Sequence, residues 1–194
     1  MDENVLFTLA FRNDASGIGE AIRTGADPNA IHPRGGHTPL QIAAQAGSTQ
    51  ALDALLSGGA DPNRRFTWVS RVDGRVLPSR VALMYAASDS VVRRLVSAGA
   101  EVNAADKSGW TPLACAIETM NVEAFQALLD MGARVDVTVV LDGQSRSLVD
   151  LAEARAARII EVAGEQPNPK AVRMIEALAA MRSDLLGAAA SSRS

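Results

Sequence analysis

One short pattern recurs four times along this chain of 194 residues and limits what the chain can fold into. The pattern is Gly-Ala, a charged residue, one further residue, and then Asn or Asp. Its copies begin at Gly25, Gly59, Gly99 and Gly132, at intervals of 34, 40 and 33 residues. Self-similarity at this period indicates an array of structural repeats, in which each unit stacks on its neighbours.

Each Gly follows three apolar residues whose spacing matches one face of a helix. The Gly itself is typical of a helix C-terminus, where the backbone turns left-handed and a Cβ is unfavourable. Thr-Pro pairs at 38–39 and 111–112 are typical of a helix start. Each unit is therefore predicted to hold two antiparallel helices and a turn. The apolar triplets are Ile18, Ala21 and Ile22; Leu52, Leu55 and Leu56; Val92, Leu95 and Val96; and Phe125, Leu128 and Leu129.

The runs TPLQIAA (Thr38 to Ala44) and TPLACAI (Thr111 to Ile117) lie in phase with the Gly-Ala turns. On these motifs the chain resembles the ankyrin-repeat family. The resemblance implies an all-α repeat solenoid with β-hairpin fingers, about five helix pairs long, with atypical units at both ends as caps. The predicted units are 1–30, 31–63, 64–103, 104–136 and 137–186, and residues 187–194 are predicted to be a disordered tail.

The interval of 40 residues contains an insertion of nine, partly offset by a deletion of three between the helices of the third unit. The deletion predicts a tighter turn at residues 88–90. The insertion carries Asp73-Gly74 between β-branched and aromatic residues, which predicts a β-hairpin with Arg71 opposite Val76. A second Asp-Gly, at residues 142–143, predicts another hairpin in the fifth unit. One face of the first hairpin is predicted to hold Phe66, Trp68, Val72 and Leu77, and the other Val69, Arg71 and Val76.

The first hairpin, at residues 64–80, forms an inserted finger whose aromatic face has two interpretations, and both remain open. It packs on a neighbouring unit, since a lone two-stranded ribbon is marginal in water, or it contacts a partner. Residues 64–80 carry a net charge of +4, whereas the rest of the chain carries −7. The candidate partner-binding residues of the finger are Phe66, Trp68, Arg71 and Arg75.

The resemblance also implies binding through the tips of the turns and the inner face of the first helix of each unit. The run DKSGWTPL in the fourth unit matches the turn motif of the family. A shared site involving the tryptophans of adjacent fingers is one interpretation, and packing of Trp110 on the Trp68 finger is the other. The positions implied are Arg34, His37, Gln45, Lys107, Ser108, Trp110 and Glu118.

The sequence offers little chemistry beyond binding. His32 and His37 have no cysteine pair nearby, so they are interpreted as turn residues and no metal site or cofactor is predicted. Cys115 falls on a core position of the repeat, which is unsuited to a catalytic thiolate. We therefore expect no enzyme activity.

Compartment and source follow from composition. The acidic start Met-Asp-Glu-Asn and the absence of a long apolar run predict no signal peptide and no membrane span. A single cysteine favours a reducing cytoplasm. The excess of 17 Arg over 2 Lys favours a bacterial source with GC-rich coding.

The sequence thus predicts a non-enzymatic protein-protein interaction module, monomeric when free, that binds a protein partner through its concave face and fingers. Its role is interpreted as an inhibitor or immunity-type antagonist of a partner such as a toxin or another protein with an acidic surface. A cytosolic adaptor or scaffold is the alternative. Nucleic-acid binding through the Arg-rich hairpin 64–80 is the alternative of another class, although the acidic remainder disfavours it.

Overall fold

The structure, a computed structural model, is an array of short helix pairs with two β-hairpins. It describes residues 5–33, 35–66, 68–69, 74, 76–77, 79–163, 169, 172–178 and 180, and for 68, 77 and 159–163 the backbone alone. The predicted tail 187–194 lies outside this range. Residues 172–178 are also helical. The elements are α1 Val5–Phe11, α2 Ala15–Arg23, α3 Pro39–Ala46, α4 Thr49–Ser57, β1 Trp68–Val69, β2 Val76–Leu77, a 3-10 helix Ala82–Tyr85, α5 Asp89–Ser97, α6 Pro112–Glu118, α7 Val122–Asp130, β3 Thr138–Leu141, β4 Gln144–Ser147 and α8 Leu148–Ala163.

The predicted helix starts at the Thr-Pro pairs are confirmed. Thr38 accepts a hydrogen bond at Oγ1 from the Gln41 N–H at 3.2 Å, and Gln41 Oε1 accepts one from the Thr38 N–H at 3.0 Å. This reciprocal pair satisfies two backbone donors that a helix start otherwise leaves open. Thr111 caps α6 with a single bond, accepting the Ala114 N–H at its Oγ1 at 3.3 Å.

The recurring Gly residues end the second helix of four units, as predicted. Their φ angles are 99° at Gly25, 92° at Gly59, 89° at Gly99 and 86° at Gly132. The Ala that follows each Gly donates its N–H to a carbonyl of the preceding helix at 2.9 Å. This geometry closes the helix with a left-handed residue, and Gly adopts it without the penalty of a Cβ.

The helices stack in two parallel rows. The inner row runs α1, α3, the 3-10 helix, α6 and α8, and the outer row runs α2, α4, α5 and α7. The apolar triplets of the outer row face the inner row, and their first two members are buried in every unit. The buried side chains form one continuous core along the array. The predicted solenoid of helix pairs with hairpin fingers is confirmed.

The Asn of the recurring pattern fastens each unit to the next. Asn29 donates from Nδ2 to the carbonyl of Gly59 at 2.9 Å, and its Oδ1 accepts the Asp61 N–H at 2.7 Å. Asn63 and Asn103 repeat both bonds one unit further along. At the last copy the residue is Asp136, which pairs with Arg134 beside it. The pattern therefore encodes contacts between units as well as turns within them.

The first helix of the third unit differs from the prediction. It is a 3-10 helix of four residues, whereas α3 has eight and α6 has seven. The deletion of three residues therefore shortens this helix, while α5 starts in its normal place after Ser88. Val81 stands where Thr38 and Thr111 cap the neighbouring units, and without a hydroxyl it makes no side-chain cap.

The two hairpins test the Asp-Gly signal with different results. In the fifth unit Asp142 and Gly143 have φ angles of 52° and 74° and join β3 to β4, as predicted. In the third unit Val69 pairs with Val76, so the predicted register is wrong by two residues. The pairing of two β-branched residues and a 3.1 Å bond from the Phe66 N–H to Ser79 Oγ favour the observed register over the predicted one.

Candidate protein-binding surface

The short third-unit helix leaves an open groove in the inner row, between the longer helices α3 and α6. The groove has a volume of about 390 Å³. Leu83 and Met84 of the 3-10 helix and Cys115 and Ala116 of α6 form much of its wall. Side chains with polar groups lie along it as well; they are Gln45, Arg80, Tyr85, Glu118, Thr119 and Asn121.

The chain after the 3-10 helix is held by its neighbours. Asn121 Nδ2 donates to the carbonyls of Ala86 and Ala87 at 3.3 and 2.9 Å. The Ala87 N–H donates to the carbonyl of Ala44 in α3 at 3.1 Å. These bonds satisfy backbone groups that a longer helix would have paired internally. They also keep the groove open, since the segment is tied to both flanking units.

Arg80 lies at one end of the groove, where the inserted finger rejoins the body. Its guanidinium carbon lies 5.6 Å from the centre of the Trp110 ring, within the range of a cation–π contact. Its Nε lies 3.8 Å from Oδ2 of Asp106, whose side chain is only 1% exposed. Neither of these two atoms has a hydrogen-bond partner among the described residues. Its backbone is fixed, because Gln41 Nε2 donates to its carbonyl at 2.6 Å.

Two of the predicted second-unit residues lie at or near the groove. Gln45 is exposed and lines it, whereas His37 is half-buried and meets Tyr85 edge to face at 5.4 Å. Burial holds the pKa of His37 below its ordinary value, against a hydrogen bond with Gln41 that raises it. His37 therefore packs a turn against the third unit, and its neutral form is favoured. Arg34 lies outside the described residues.

The inserted finger shows an exposed apolar face. Val69 and Val76 are paired across it and are 51% and 63% exposed. Phe66 is half-buried, Trp68 is described only by its backbone in β1, and Arg71 and Arg75 lie outside the described residues. The predicted division of the finger into two faces agrees with Val69 and Val76 lying together.

Part of the positive charge of this segment is used within the array. Arg65 Nη1 donates to the carbonyl of Ala105 at 2.8 Å, and its Nη2 lies 3.5 Å from Glu101. Arg80 faces Asp106, as above. The local excess of arginine therefore contributes contacts between the third and fourth units.

The turn of the fourth unit exposes Lys107 and Ser108. Ser108 accepts the Val140 N–H at its carbonyl at 2.8 Å, so β3 lies directly beside this turn. Gly109 permits that approach, because a Cβ there would lie 2.5 Å from the carbonyl oxygen of Thr138.

Trp110 is mostly buried and lines the groove, and its role as a partner contact stays a prediction. Its side chain is 7% exposed and belongs to the core, where it supports the Arg80 guanidinium. The backbone N–H of Trp110 donates to Asp106 Oδ1 at 3.0 Å, which fixes the end of the fourth-unit turn.

Glu118 lies on the opposite rim of the groove from Gln45. It is half-buried, and Arg155 Nη2 of α8 lies 3.4 Å from its Oε1. Arg155 Nε also donates to the backbone carbonyl of Glu118 at 2.8 Å. The carboxylate is thus oriented and partly neutralised by the fifth unit.

Cys115 is a core residue, as its register predicts. Burial raises the pKa of its thiol to about 11, and the positive charge of Arg80 offsets only part of that. A thiol with this pKa is almost wholly protonated near neutrality, which is unsuited to nucleophilic chemistry. Among the described residues, no three His, Cys, Asp or Glu side chains gather as metal ligands.

No helix within the described part of the chain is both long and apolar enough to span a bilayer.

Comparison with known proteins matches this architecture. A model of a single ankyrin repeat matches residues 35–65, and a model of ankyrin repeats in three copies matches residues 70–139. Cyclin-dependent kinase 4 inhibitor B of Bos taurus is 36% identical over 125 residues, which cover 64% of this chain and 87% of the inhibitor. The chain belongs to the ankyrin-repeat family. The ankyrin fold and the name of this relative support a protein-interaction module.

Two further ankyrin relatives match shorter segments. The 2-5A-dependent ribonuclease of Mus musculus is 39% identical over 64 residues, or 33% of this chain and 9% of the ribonuclease. The RelA-associated inhibitor of Mus musculus is 42% identical over 53 residues, or 27% of this chain and 6% of that inhibitor. The chain therefore spans a small fraction of the length of these two proteins.

The sequence does not predict the groove or the position of Arg80 at its end. The deletion of three residues is the available signal, but it predicts a tighter turn at residues 88–90 and not a shorter helix. Arg80 and Asn121 match no position of the repeat motif, so their roles depend on how the units stack.

Proposed function

We propose that this chain is a non-enzymatic protein-binding module that inhibits its partner by covering part of the partner's surface. The observation that carries the proposal is the groove of about 390 Å³ at the third unit, flanked by complete units on both sides. A concave site of this size accepts side chains from another protein. The cytoplasm is the proposed location, because the one cysteine is a free, buried thiol.

Inhibition is favoured over bridging by the relatives that match over the largest share of their own length. Cyclin-dependent kinase 4 inhibitor B, matched over 87% of its length, is named as an inhibitor. By analogy, we propose that this repeat array also acts as an inhibitor. The specific form that we favour is an immunity-type antagonist of a toxin, with a cytosolic adaptor as the alternative.

Binding of nucleic acid through residues 64–80 is less favoured. Arg65 is engaged by Glu101 and by the carbonyl of Ala105. A phosphate-binding surface needs several free cations on one face. The remainder of the chain carries a net charge of −7, which opposes an approaching phosphate backbone.

The test compares two exposed glutamines, each replaced by the bulky, uncharged tryptophan in the full chain. Gln45 lines the groove, whereas Gln126 is exposed on α7 in the outer row. We expect partner captured by the unmodified chain to be lost with Gln45→Trp and retained with Gln126→Trp. Titrating the captured partner with purified chain should then abolish the partner's activity at a one-to-one ratio.

The other outcomes separate the alternatives. An unchanged partner activity together with a second protein held at the same time would establish an adaptor. Binding that survives on unrelated DNA or RNA and weakens steeply with salt would establish the nucleic-acid function. Equal capture by both variants would contradict the groove as the binding surface.

A further inference from the structure

Arg80 places a partly exposed guanidinium at one end of the groove. We propose that the groove binds an acidic side chain, Asp or Glu, of its protein partner, and that Arg80 is the residue that determines this specificity. The inference rests on the proposed function and adds the chemistry of the partner's contact.

Arg80 is held in place without its hydrogen-bonding capacity being used by Asp106. The 3.8 Å between Nε and Asp106 Oδ2 exceeds the 2.7–2.9 Å typical of a charge-assisted hydrogen bond. Both atoms are buried and lack a hydrogen-bond partner within the described residues. The Arg80 side chain nonetheless keeps 28% of its surface exposed at the groove. A carboxylate arriving from the groove therefore meets a guanidinium that is fixed but not saturated.

Trp110 holds the guanidinium of Arg80 in place. The guanidinium lies over its ring at 5.6 Å, and the ring is itself locked in the core. Contact with an aromatic face orients the planar fork of arginine before binding, so less side-chain entropy is lost when a carboxylate docks.

The competing negative charge of Asp106 is already engaged elsewhere. Its Oδ1 accepts the N–H groups of Ser108 and Trp110 at 2.8 and 3.0 Å, which spreads the charge into the fourth-unit turn. The other acid of the groove, Glu118, is paired with Arg155 at 3.4 Å. An incoming carboxylate is therefore repelled less than the formal charges suggest.

The remaining wall strengthens the interaction. Leu83, Met84 and Leu128 are buried apolar residues on the groove, so part of it is shielded from water, and electrostatic attraction is stronger in such surroundings. Tyr85 and Gln45 add a hydroxyl and an amide along the same surface. The fitting occupant is a partner segment with an acidic residue beside an apolar one.

The test selects twelve-residue random peptides displayed on phage against the full chain. Three proteins are compared: the unmodified chain, Arg80→Gln, and Arg94→Gln as the control. Arg94 also pairs with one carboxylate, Asp53, but on an exposed surface of α5. We expect the unmodified chain and Arg94→Gln to enrich a common motif with one fixed acidic residue, and Arg80→Gln to lose it.

Affinity measurements then assign the contact. The selected peptide should bind Arg80→Gln at least about tenfold more weakly than it binds the unmodified chain. A version of the peptide with its acid replaced by the amide should show no further loss of affinity on Arg80→Gln. Arg80→Lys keeps a charge opposite Asp106 and should bind with intermediate affinity because the planar fork is lost. It also provides a readout if Arg80→Gln proves unfolded by circular dichroism.

A motif without an acid, or equal binding by Arg80→Gln, overturns the inference. If such peptides are still lost with Gln45→Trp, the proposed binding function of the groove stands. If no peptide is enriched, or if binding survives Gln45→Trp as well, both proposals fail.

Discussion

Asn63 joins its unit to the next one through Gly99, donating from Nδ2 to the Gly99 carbonyl at 2.8 Å. Its Oδ1 accepts the Glu101 N–H at 2.8 Å, so one side chain satisfies a carbonyl and an amide of the following turn. The carbonyl of the Gly that ends a helix is thus also the hydrogen-bond acceptor that aligns two adjacent units. This double role explains why Gly and Asn recur together at a fixed spacing.

Replacing Asn63 with Asp should therefore destabilise the array. The carboxylate keeps the acceptor for the Glu101 N–H but loses the donor to Gly99, and it places a negative charge near an acidic residue. We expect a loss of about 1 kcal/mol in the free energy of unfolding, measured by urea denaturation. Asn103→Asp is the matched control with a smaller loss, because its bond to Gly132 is longer at 3.4 Å. An equal loss in both variants would contradict this account.

Leu128→Ala should open a cavity in the core. The side chain is 1% exposed and lies where α7 meets the inner row. Removing it should cost about 2 to 5 kcal/mol. Leu129→Ala, on a half-buried neighbour of the same type, should cost clearly less, which thermal and urea unfolding of the two variants will show.

Gly109→Ala tests how closely the fifth-unit hairpin approaches the fourth-unit turn. Gly109 has a φ of 79°, and a Cβ would meet the Thr138 oxygen at 2.5 Å. Gly143 has a φ of 74° but open space around it, so Gly143→Ala carries only the backbone penalty of about 1–2 kcal/mol. We expect Gly109→Ala to lower the melting temperature further. Equal melting temperatures would mean that β3 moves away at no cost.

Cys115 should make stability depend on pH at the alkaline end. Its folded pKa of about 11 lies above the ordinary thiol value of 9.0, so the folded state holds its proton where the unfolded state loses it. The contribution is complete below pH 9 and declines as the pH rises towards 11. Cys115→Ala should have a flatter stability profile across this window, as measured by urea unfolding at a series of pH values. Parallel profiles would show that the thiol does not titrate as described.

The local elements were predictable because each depends on a few neighbouring residues. The left-handed turn at Gly25 and the caps at Thr38 and Thr111 follow from backbone sterics and from one hydroxyl each. The second hairpin also followed from its turn, since Asp142 and Gly143 adopt the positive φ angles that such a loop requires.

The features that the sequence did not predict concern residues whose partners are distant in sequence. The guanidinium of Arg80 lies over the ring of Trp110, which belongs to the next unit. The observed register of the first hairpin aligns Phe66 with Ser79, thirteen residues away. Neither relation is visible in a local pattern.

The sequence by itself determined the repeat, the helix ends, the core positions and the family, because contacts within a unit and between adjacent units recur with the period of the motif. Only the tertiary structure decided what the irregular third unit does. A deletion of three residues became a shortened helix and a groove because Asn121 and Ala44 hold the following segment at a distance that the stacking of whole units sets. Arg80 became the charged end of that groove for the same reason, since Trp110 and Asp106 reach it from the next unit.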